Sequence, residues 1–557
     1  MLIFRGNVES WEGWEYSHCA WVCRKVLYLR MKKINAMKKS TLLPAVAALP
    51  ALCAAGNPAA ADSAAVAPPD RPDIILFMVD DMGWQDTSVP FWKEKTPYNR
   101  AYHTPNMERL AASGMKFTQA YACPVSSPTR CSLITGANAA RHRVTNWTMA
   151  RDQSTDIQCD SLTLPEWNVN GVQQTPGIPR SYVGRSFVDD LRDAGYHTIH
   201  CGKAHLGAMD TPGEDPHHWG FEVNIAGHAA GGLATYLSEK NYGHNPDGTP
   251  YAFNAVPGLE KYWGSGTFVT EALTQEALKA LDKAAKYAQP YFLYMSHYAI
   301  HIPIDRDPRY YQKYIDEGLS EKEAAYASLI EGMDKSLGDI MDWVERNGRA
   351  DRTIIIFMSD NGGLATDPGW RDGRLYWQNA PLQSGKGSMM EGGIREPLLV
   401  RWPGVTKPGS ETDGYLMIED FYPTILEMAG AEHKSDPTKP LDGFSFVPLI
   451  KGGEQPGGPE REIVWNFPNI WGNEGPGINL NCALRRGPWK LIYNYATGEK
   501  QLYNIPDDIS ELHNLAKERP EVTRMMSERL GTLLRERGAQ RPTVTATGRP
   551  CPWPDEI

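Results

Sequence analysis

The sequence predicts an α/β protein, with a large, mostly parallel sheet held between helices and a smaller carboxy-terminal α+β unit carrying an antiparallel sheet. Three observations predict it. Short apolar, β-branched runs alternate with helical patterns along most of the chain, as in sheets built from crossover units. The runs are apolar at nearly every position, as strands covered on both faces are. After the Gly/Pro/charge-rich break EQPGGPERE (454–462), the pattern changes to closely spaced short strands and one last helix.

Taken in order, the strands are DIILFMV (73–79), HTIH (197–200), PYFLYMSH (290–297), TIIIFMS (353–359) and PLLVRW (397–402). Helical patterns cover 104–113, 186–194, 268–288 and 321–347. Beyond the break, REIVWNF, CALRRGPWKLIYNY and KQLYNI read as antiparallel strands, followed by a helix over about 518–538. The expected organisation is an over-long start at 1–36, since Met31 and Met37 are alternative initiators, then a secretory signal at 37–61. A catalytic domain at 70–455 and a carboxy-terminal subdomain and tail at 456–557 follow.

Lys38 and Lys39 form the charged start of that signal, 42–52 its apolar stretch, and Ala59-Ala60-Ala61 a small-residue cleavage site. The apolar stretch is too short to span a bilayer, so the mature chain is expected to be exported without a transmembrane segment. Its expected address is the periplasm; Cys53 offers a cell-surface lipoprotein alternative, with Pro50-Ala51-Leu52 a poor lipobox. The formal net charge of −10 argues against a nucleic-acid partner. Nine scattered cysteines make neither a disulfide framework nor a zinc module and read as buried or free thiols.

The chemistry gathers at strand ends. IILFMV runs into Asp80-Asp81-Met82-Gly83, and IIIFMS into Asp360-Asn361-Gly362-Gly363. Ligands of open α/β sheets bind at the carboxyl ends of strands. Either motif alone is also ordinary turn chemistry. Two equivalent ones favour an oxygen-lined site for a hard cation, Ca²⁺ or Mg²⁺. In HCGKAHLG, Lys203 and His205 lie two apart, so an extended segment points both the same way. HYAIHIP contributes His297 and His301, and QSGKGSMMEGGIREP sets Lys386 between glycines, with Gly392-Gly393 serving the backbone. In SSPTRCSLITG, Pro128 suits the first turn of a helix that runs to Gly136. Ser126 would then sit at a helix amino terminus with Arg130 one turn on, an arrangement that binds anions.

With these residues in hand, the chain resembles the type I sulfatases of the alkaline phosphatase superfamily, in the serine form found among bacterial carbohydrate sulfatases. Their signature, C/S-x-P-x-R with downstream Leu, Thr and Gly, reads here Ser126-Ser127-Pro128-Thr129-Arg130, then Leu133, Thr135 and Gly136. VDDMG, GKAHLG, SDNGG, GGIREPLLVRWPG, IEDFYPTILEMAG and LRRGPWKLIY carry the likeness over nearly the whole mature chain. The resemblance implies an alkaline-phosphatase-like sandwich. It also implies oxidation of Ser126 to Cα-formylglycine (3-oxoalanine) by a serine-type maturase, with the hydrated aldehyde as nucleophile. Asp80, Asp81, Asp360 and Asn361, with an oxygen of converted Ser126, would hold Ca²⁺. Arg130 and Lys203 would steady the nucleophile, and Asp360 would receive its proton. His301, supported by Lys386, would protonate the leaving oxygen, and His205 would deprotonate the second hydroxyl to expel sulfate. Ala204 stands where the family often has an aromatic residue, and Ile300 precedes His301 where it often has Pro.

The expected substrate is a sulfated glycan, a galactose or N-acetylhexosamine sulfate cut in exo fashion. Its expected contacts come from Trp-, His- and Gly-rich loops, with His217, His218, Trp219, His228, Arg371 and Arg374 as candidates. Two other readings stay open: a phosphonate or phosphodiester hydrolase of the same superfamily, and a non-catalytic binder of sulfated sugars.

Overall fold

The computed structural model describes residues 71–364, 377–434 and 439–557. Its centre is an eight-stranded sheet of β1 (Asp73–Val79), β2 (Met115–Tyr121), β3 (His197–Gly202), β4 (Val223–Ile225), β5 (Tyr291–Ser296), β6 (Thr353–Ser359), β7 (Arg395–Arg401) and β8 (Ser410–Met417). The spatial order is β8-β2-β7-β6-β1-β5-β3-β4. Only β7 runs against the rest, pairing antiparallel with both β2 and β6. The five strands expected from sequence are all present. The sequence pattern did not reveal β2, β4 and β8. In β2 and β8, MKFTQAY and SETDGYLM are polar at the half-exposed positions of one edge of the sheet.

Alternation along β1 shows why its run is apolar throughout. Ile74, Leu76 and Met78 enter one core, and Ile75, Phe77 and Val79 the other, each with 0 % exposure. The second core is closed by α1 (Pro105–Ser113), α4 (Val269–Ala284) and α5 (Glu321–Arg346). The first is closed by α2 (Ser126–Thr135), α3 (Phe187–Asp193) and α6 (Phe421–Ala429). A second sheet also covers that first core: β9 (Glu462–Phe467), β10 (Asn481–Arg486), β11 (Trp489–Asn494) and β12 (Lys500–Asn504), antiparallel in sequence order. Trp465, Ala483, Ile492 and Tyr503 face the main core. Val464, Leu484, Leu491 and Leu502 face Met526, Leu530 and Leu534 of α7 (Pro520–Glu536). The terminal sheet is therefore buried on both sides.

Among the described residues no helix is long and apolar enough to cross a membrane, and Cys123, Cys131, Cys159, Cys201, Cys482 and Cys551 are free thiols. The signal-like segment at 37–61 lies outside the described residues.

Candidate active site

Because β1 and β6 are neighbouring parallel strands, their carboxyl ends deliver Asp80-Asp81 and Asp360-Asn361 to one place. All four side chains are buried. Asp81 adopts φ 62°, a conformation rare for residues with a Cβ, and its N–H donates to Asp360 Oδ1 (3.2 Å). Asn361 Nδ2 donates to Asp81 Oδ1 (2.8 Å). The glycines after these motifs serve packing: a Cβ on Gly362 would lie 2.0 Å from Gly392 O, so the segment carrying Lys386 can close over the end of β6.

The α2 helix brings the serine. It starts at Ser126 without a side-chain cap, is buried along its whole length, and ends at Gly136 in the left-handed conformation. Ser126 Oγ donates to Asp360 Oδ2 (2.7 Å) and accepts from Arg130 Nε (2.9 Å). Arg130 also pairs with Asp360 Oδ2 through Nη2 (2.8 Å) and donates from Nη1 to Ser296 Oγ (2.6 Å). Lys203, just past β3, places Nζ 2.6 Å from Asp80 Oδ2 and 3.9 Å from Asp360 Oδ2. Lys386 Nζ lies 2.6 Å from Asp81 Oδ1. Three carboxylates thus face three fixed cations.

The two histidines are oriented by carbonyls, which only accept. His205 Nε2 sits 3.0 Å from Thr148 O and 2.8 Å from Ser127 Oγ, so Nε2 carries the hydrogen. Nδ1 is then left as an acceptor 3.3 Å from Ser126 Oγ. His301 Nδ1 donates to Ile302 O (2.8 Å), and its Nε2 lies 3.7 Å from Asp81 Oδ2. Burial, then Lys203, holds His205 well below the usual imidazole range. Burial and Lys386 draw His301 down to about 4. Burial, reinforced by the Asp360 charge, pushes Asp80 well up. Burial works the same way on Asp360, but Arg130 and Lys203 overcome it and hold that carboxyl low.

The donor set fits a hard divalent cation. Asp80 Oδ1 and Asn361 Oδ1 are buried acceptors without a hydrogen-bond partner, which such groups rarely are. Asp80, Asp81 and His301 each offer one ligand atom within 4.8 Å of the others. Oxygen donors dominate, as Ca²⁺ and Mg²⁺ require.

Every residue of the expected centre, Asp80, Asp81, Ser126, Arg130, Lys203, His205, His301, Asp360, Asn361 and Lys386, belongs to this one cluster. Of the loop candidates, His217, His218 and Trp219 do not. His217 is exposed on a short turn, its Nδ1 2.8 Å from Asp215 Oδ1, and His218 is exposed beside it. Neither hydrogen-bonds to the cluster among the described residues. Trp219 is a core residue whose Nε1 donates to Gly213 O (3.0 Å). His228 takes part through its backbone, its O accepting from His205 N–H (3.2 Å). His297 faces Ser336 Oγ (2.8 Å) inside the core. Arg371 and Arg374 lie outside the described residues. Sequence reasoning missed Ser127 and Thr148. Ser127 could have been suspected from its neighbour, but Thr148 acts through its backbone and leaves no residue-type signal.

The family model described as Sulfatase matches residues 72–431. A second, described as N-sulphoglucosamine sulphohydrolase, C-terminal, matches 384–536. A sulfatase of Formosa agariphila is 29 % identical over 497 residues, covering 81 % of this chain and 85 % of its own. Human N-acetylgalactosamine-6-sulfatase is 26 % identical over 447 residues, covering 74 % and 75 %. Among solved structures, Ps i-CgsB superposes with TM-score 0.65 at 26 % identity, covering 83 % of this chain and 93 % of its own.

Proposed function

The chain belongs to the sulfatase family and is a sulfuric ester hydrolase, and from that premise we propose that it removes O-sulfate from sulfated glycans in exo fashion, using a formylglycine made from Ser126 and a bound Ca²⁺. The observation that carries the assignment to Ser126 is its environment. One oxygen is shared between a carboxylate at 2.7 Å and a guanidinium at 2.9 Å, with an imidazole acceptor at 3.3 Å. An unactivated serine is a poor nucleophile, and here the groups that would activate and relay are all within reach. The glycan is supported by relatives: human N-acetylgalactosamine-6-sulfatase by its name, and Ps i-CgsB by its solved complex with k-i-k-neocarrahexaose.

Asp80, Asp81, Asp360 and Asn361 would hold the cation, which when bound supplies charge stabilisation for the oxygens around residue 126. Arg130 and Lys203 orient residue 126 and offset its negative charge. Asp360 Oδ2 accepts a proton from its oxygen. Lys386 binds the sulfate group, and its charge favours the anion as it moves toward the transition state. His301 Nε2 delivers a proton to the leaving sugar oxygen, which requires protonation of that atom after substrate has brought its own negative charge. His205 Nδ1 takes a proton at residue 126 once the sugar has left. A serine-type maturase would act before these steps, and export, to the periplasm by preference, follows from the signal-like 37–61 segment.

The test is release of free sulfate and phosphate, by ion chromatography, from protein co-expressed with a serine-type maturase. The panel holds galactose, glucosamine and uronic acid derivatives sulfated at single positions, plus matched phosphoesters. Sulfate from one regioisomer, absent in Ser126→Ala, is the expected result. Turnover of phosphoesters alone would replace the proposal with the phosphonate or phosphodiester reading. If neither is released, the mass of the Ser126 peptide, lowered by two hydrogens on conversion, separates failed maturation from a non-catalytic binder.

A further inference from the structure

Trp471 belongs to the terminal unit, in the connection between β9 and β10, yet it sits beside the catalytic cluster. Its ring centroid is 5.9 Å from Lys386 Nζ. A Cβ on Gly387 would lie 2.4 Å from Trp471 Cε3, so the indole rests on the Gly387 backbone. Gly387 N–H donates to Pro124 O (2.7 Å), two residues before Ser126.

The connection is built to hold the ring there. Met389 N–H donates to Gly477 O (2.8 Å), Ser388 Oγ donates to Pro476 O (2.6 Å), and Ser388 bridges Ile478. Trp471 N–H donates to Asn479 Oδ1 (2.8 Å). Asn479 and Leu480 take φ 63° and 57°, a left-handed pair that residues with a Cβ rarely form. Such conformations persist where surrounding structure over-determines them, and they cluster at ligand sites. On its other flank, Ile157 N–H donates to Ile470 O (3.0 Å), and Asp156 Oδ1 accepts from both Asn469 (3.0 Å) and Asn146 (2.8 Å). Segment 146–157 includes Thr148, whose carbonyl orients His205. Trp84, Trp167, Trp219 and Trp465 are fully buried core residues. Trp471 packs against the main core but is partly exposed, with Lys386 Nζ over its ring.

We propose that Trp471 determines specificity. Its indole is the platform on which the pyranose of the substrate stacks once the sulfate is seated against Lys386. The inference rests on the glycan-sulfate reading. An aromatic face matches the apolar C–H face of a pyranose, and two χ angles make the platform stiff. Lys386 fixes the anionic end, and among the described residues Trp471 is the aromatic side chain whose ring that lysine overlies, so a sugar carried on the sulfate can meet it.

The experiment compares maturase-converted wild type, Trp471→Ala and Trp471→Phe, full-length. It measures kinetics on the accepted sugar sulfate, turnover of 4-nitrophenyl sulfate, and competitive inhibition by inorganic sulfate. Trp471→Ala should raise KM for the sugar sulfate about tenfold while kcat stays within about threefold. Trp471→Phe should recover most of the KM, and the sulfate inhibition constant should stay within about twofold. An unmoved KM overturns the assignment. So does a sulfate inhibition constant that rises with the KM, because the effect would then run through Lys386. Wild type that cleaves 4-nitrophenyl sulfate but no sulfated sugar removes the glycan reading, and this inference with it.

Discussion

Two buried charge clusters draw on one stretch of chain, the first through Lys386 and the second through Glu391 and Arg395, and they are finished differently. In the proposed catalytic cluster, Asp80, Asp81 and Asp360 face Arg130, Lys203 and Lys386, yet Asp80 Oδ1 and Asn361 Oδ1 are left without a hydrogen-bond partner. In the second cluster, Glu391 Oε1 takes Lys490 Nζ (2.8 Å), and its Oε2 takes Arg395 (3.1 Å) and Tyr121 Oη (2.7 Å). Lys490 also reaches Glu511 (2.8 Å), and Glu511 Oε2 accepts the Glu391 N–H (2.6 Å). That cluster ties the terminal sheet to the start of β7. Both are equally buried, so burial does not separate function from architecture. Charge pairing does: Glu511 Oε1, which also lacks a hydrogen bond, still lies 2.8 Å from the Lys490 ammonium, whereas Asp80 Oδ1 and Asn361 Oδ1 are open at two neighbouring strand ends with no cation paired to them. A network whose acceptors each face a donor or a cation rigidifies, whereas oxygens open at converging strand ends suit a bound cation.

The comparison breaks first along the line between activity and stability. Ser126→Ala should abolish sulfate release while moving unfolding free energy by no more than about 1 kcal/mol, since one hydroxyl is lost. Lys490→Met should do the opposite. Two buried carboxylates would lose their shared cation, a loss of about 3–5 kcal/mol, while kcat per folded molecule below the transition is retained. Denaturant titration beside sulfate release separates the two. A Lys490→Met protein as stable as wild type would show that the second cluster is not a structural tie.

The open oxygens sharpen it next. Ca²⁺ in large excess should stabilise wild type by about 2–3 kcal/mol, the linkage expected near a hundredfold excess over Kd, and chelation should reverse it. Asp80→Asn removes one of three crowded carboxylates, so it should be at least as stable as wild type without cation and gain far less on adding it. Equal gains in both proteins, by thermal unfolding with and without chelator, would place the cation elsewhere.

What was legible in the sequence follows the same division. Asp80-Asp81 and Asp360-Asn361 were readable because each pair ends an apolar strand, and strand ends in a parallel sheet converge. Lys203 with His205, and Ser126 with Arg130, were readable because local spacing sets their direction. The second cluster was not. Glu391, Lys490 and Glu511 are far apart in the chain, and a lone Glu or Lys looks like surface until topology buries it. Trp471 was invisible for the same reason. Two of the loop candidates went elsewhere, because composition favours histidines and tryptophans wherever they crowd. Trp219 went to the core, and His217 settled on Asp215.

The smallest expected effect tests whether the second cluster is as closed as its distances imply. Glu391 and Glu511 share Lys490, and they titrate as a coupled group. Burial, with the Glu391 charge added, raises the Glu511 carboxyl above its ordinary value, although Lys490 opposes the shift. The folded state therefore binds the Glu511 proton more tightly than the unfolded chain does. Stability from this group is fully present below the ordinary carboxylate range near 4.5 and is lost as pH rises toward about 7. Glu511→Gln mimics the protonated form. Its unfolding free energy relative to wild type should improve between pH 5 and pH 8 by about 2 kcal/mol. Denaturant titrations of both proteins across that range read the slope directly. A difference that stays flat with pH would mean that Lys490 satisfies both carboxylates at once, making the second cluster a fully ionised triad and the contrast with the catalytic centre sharper still.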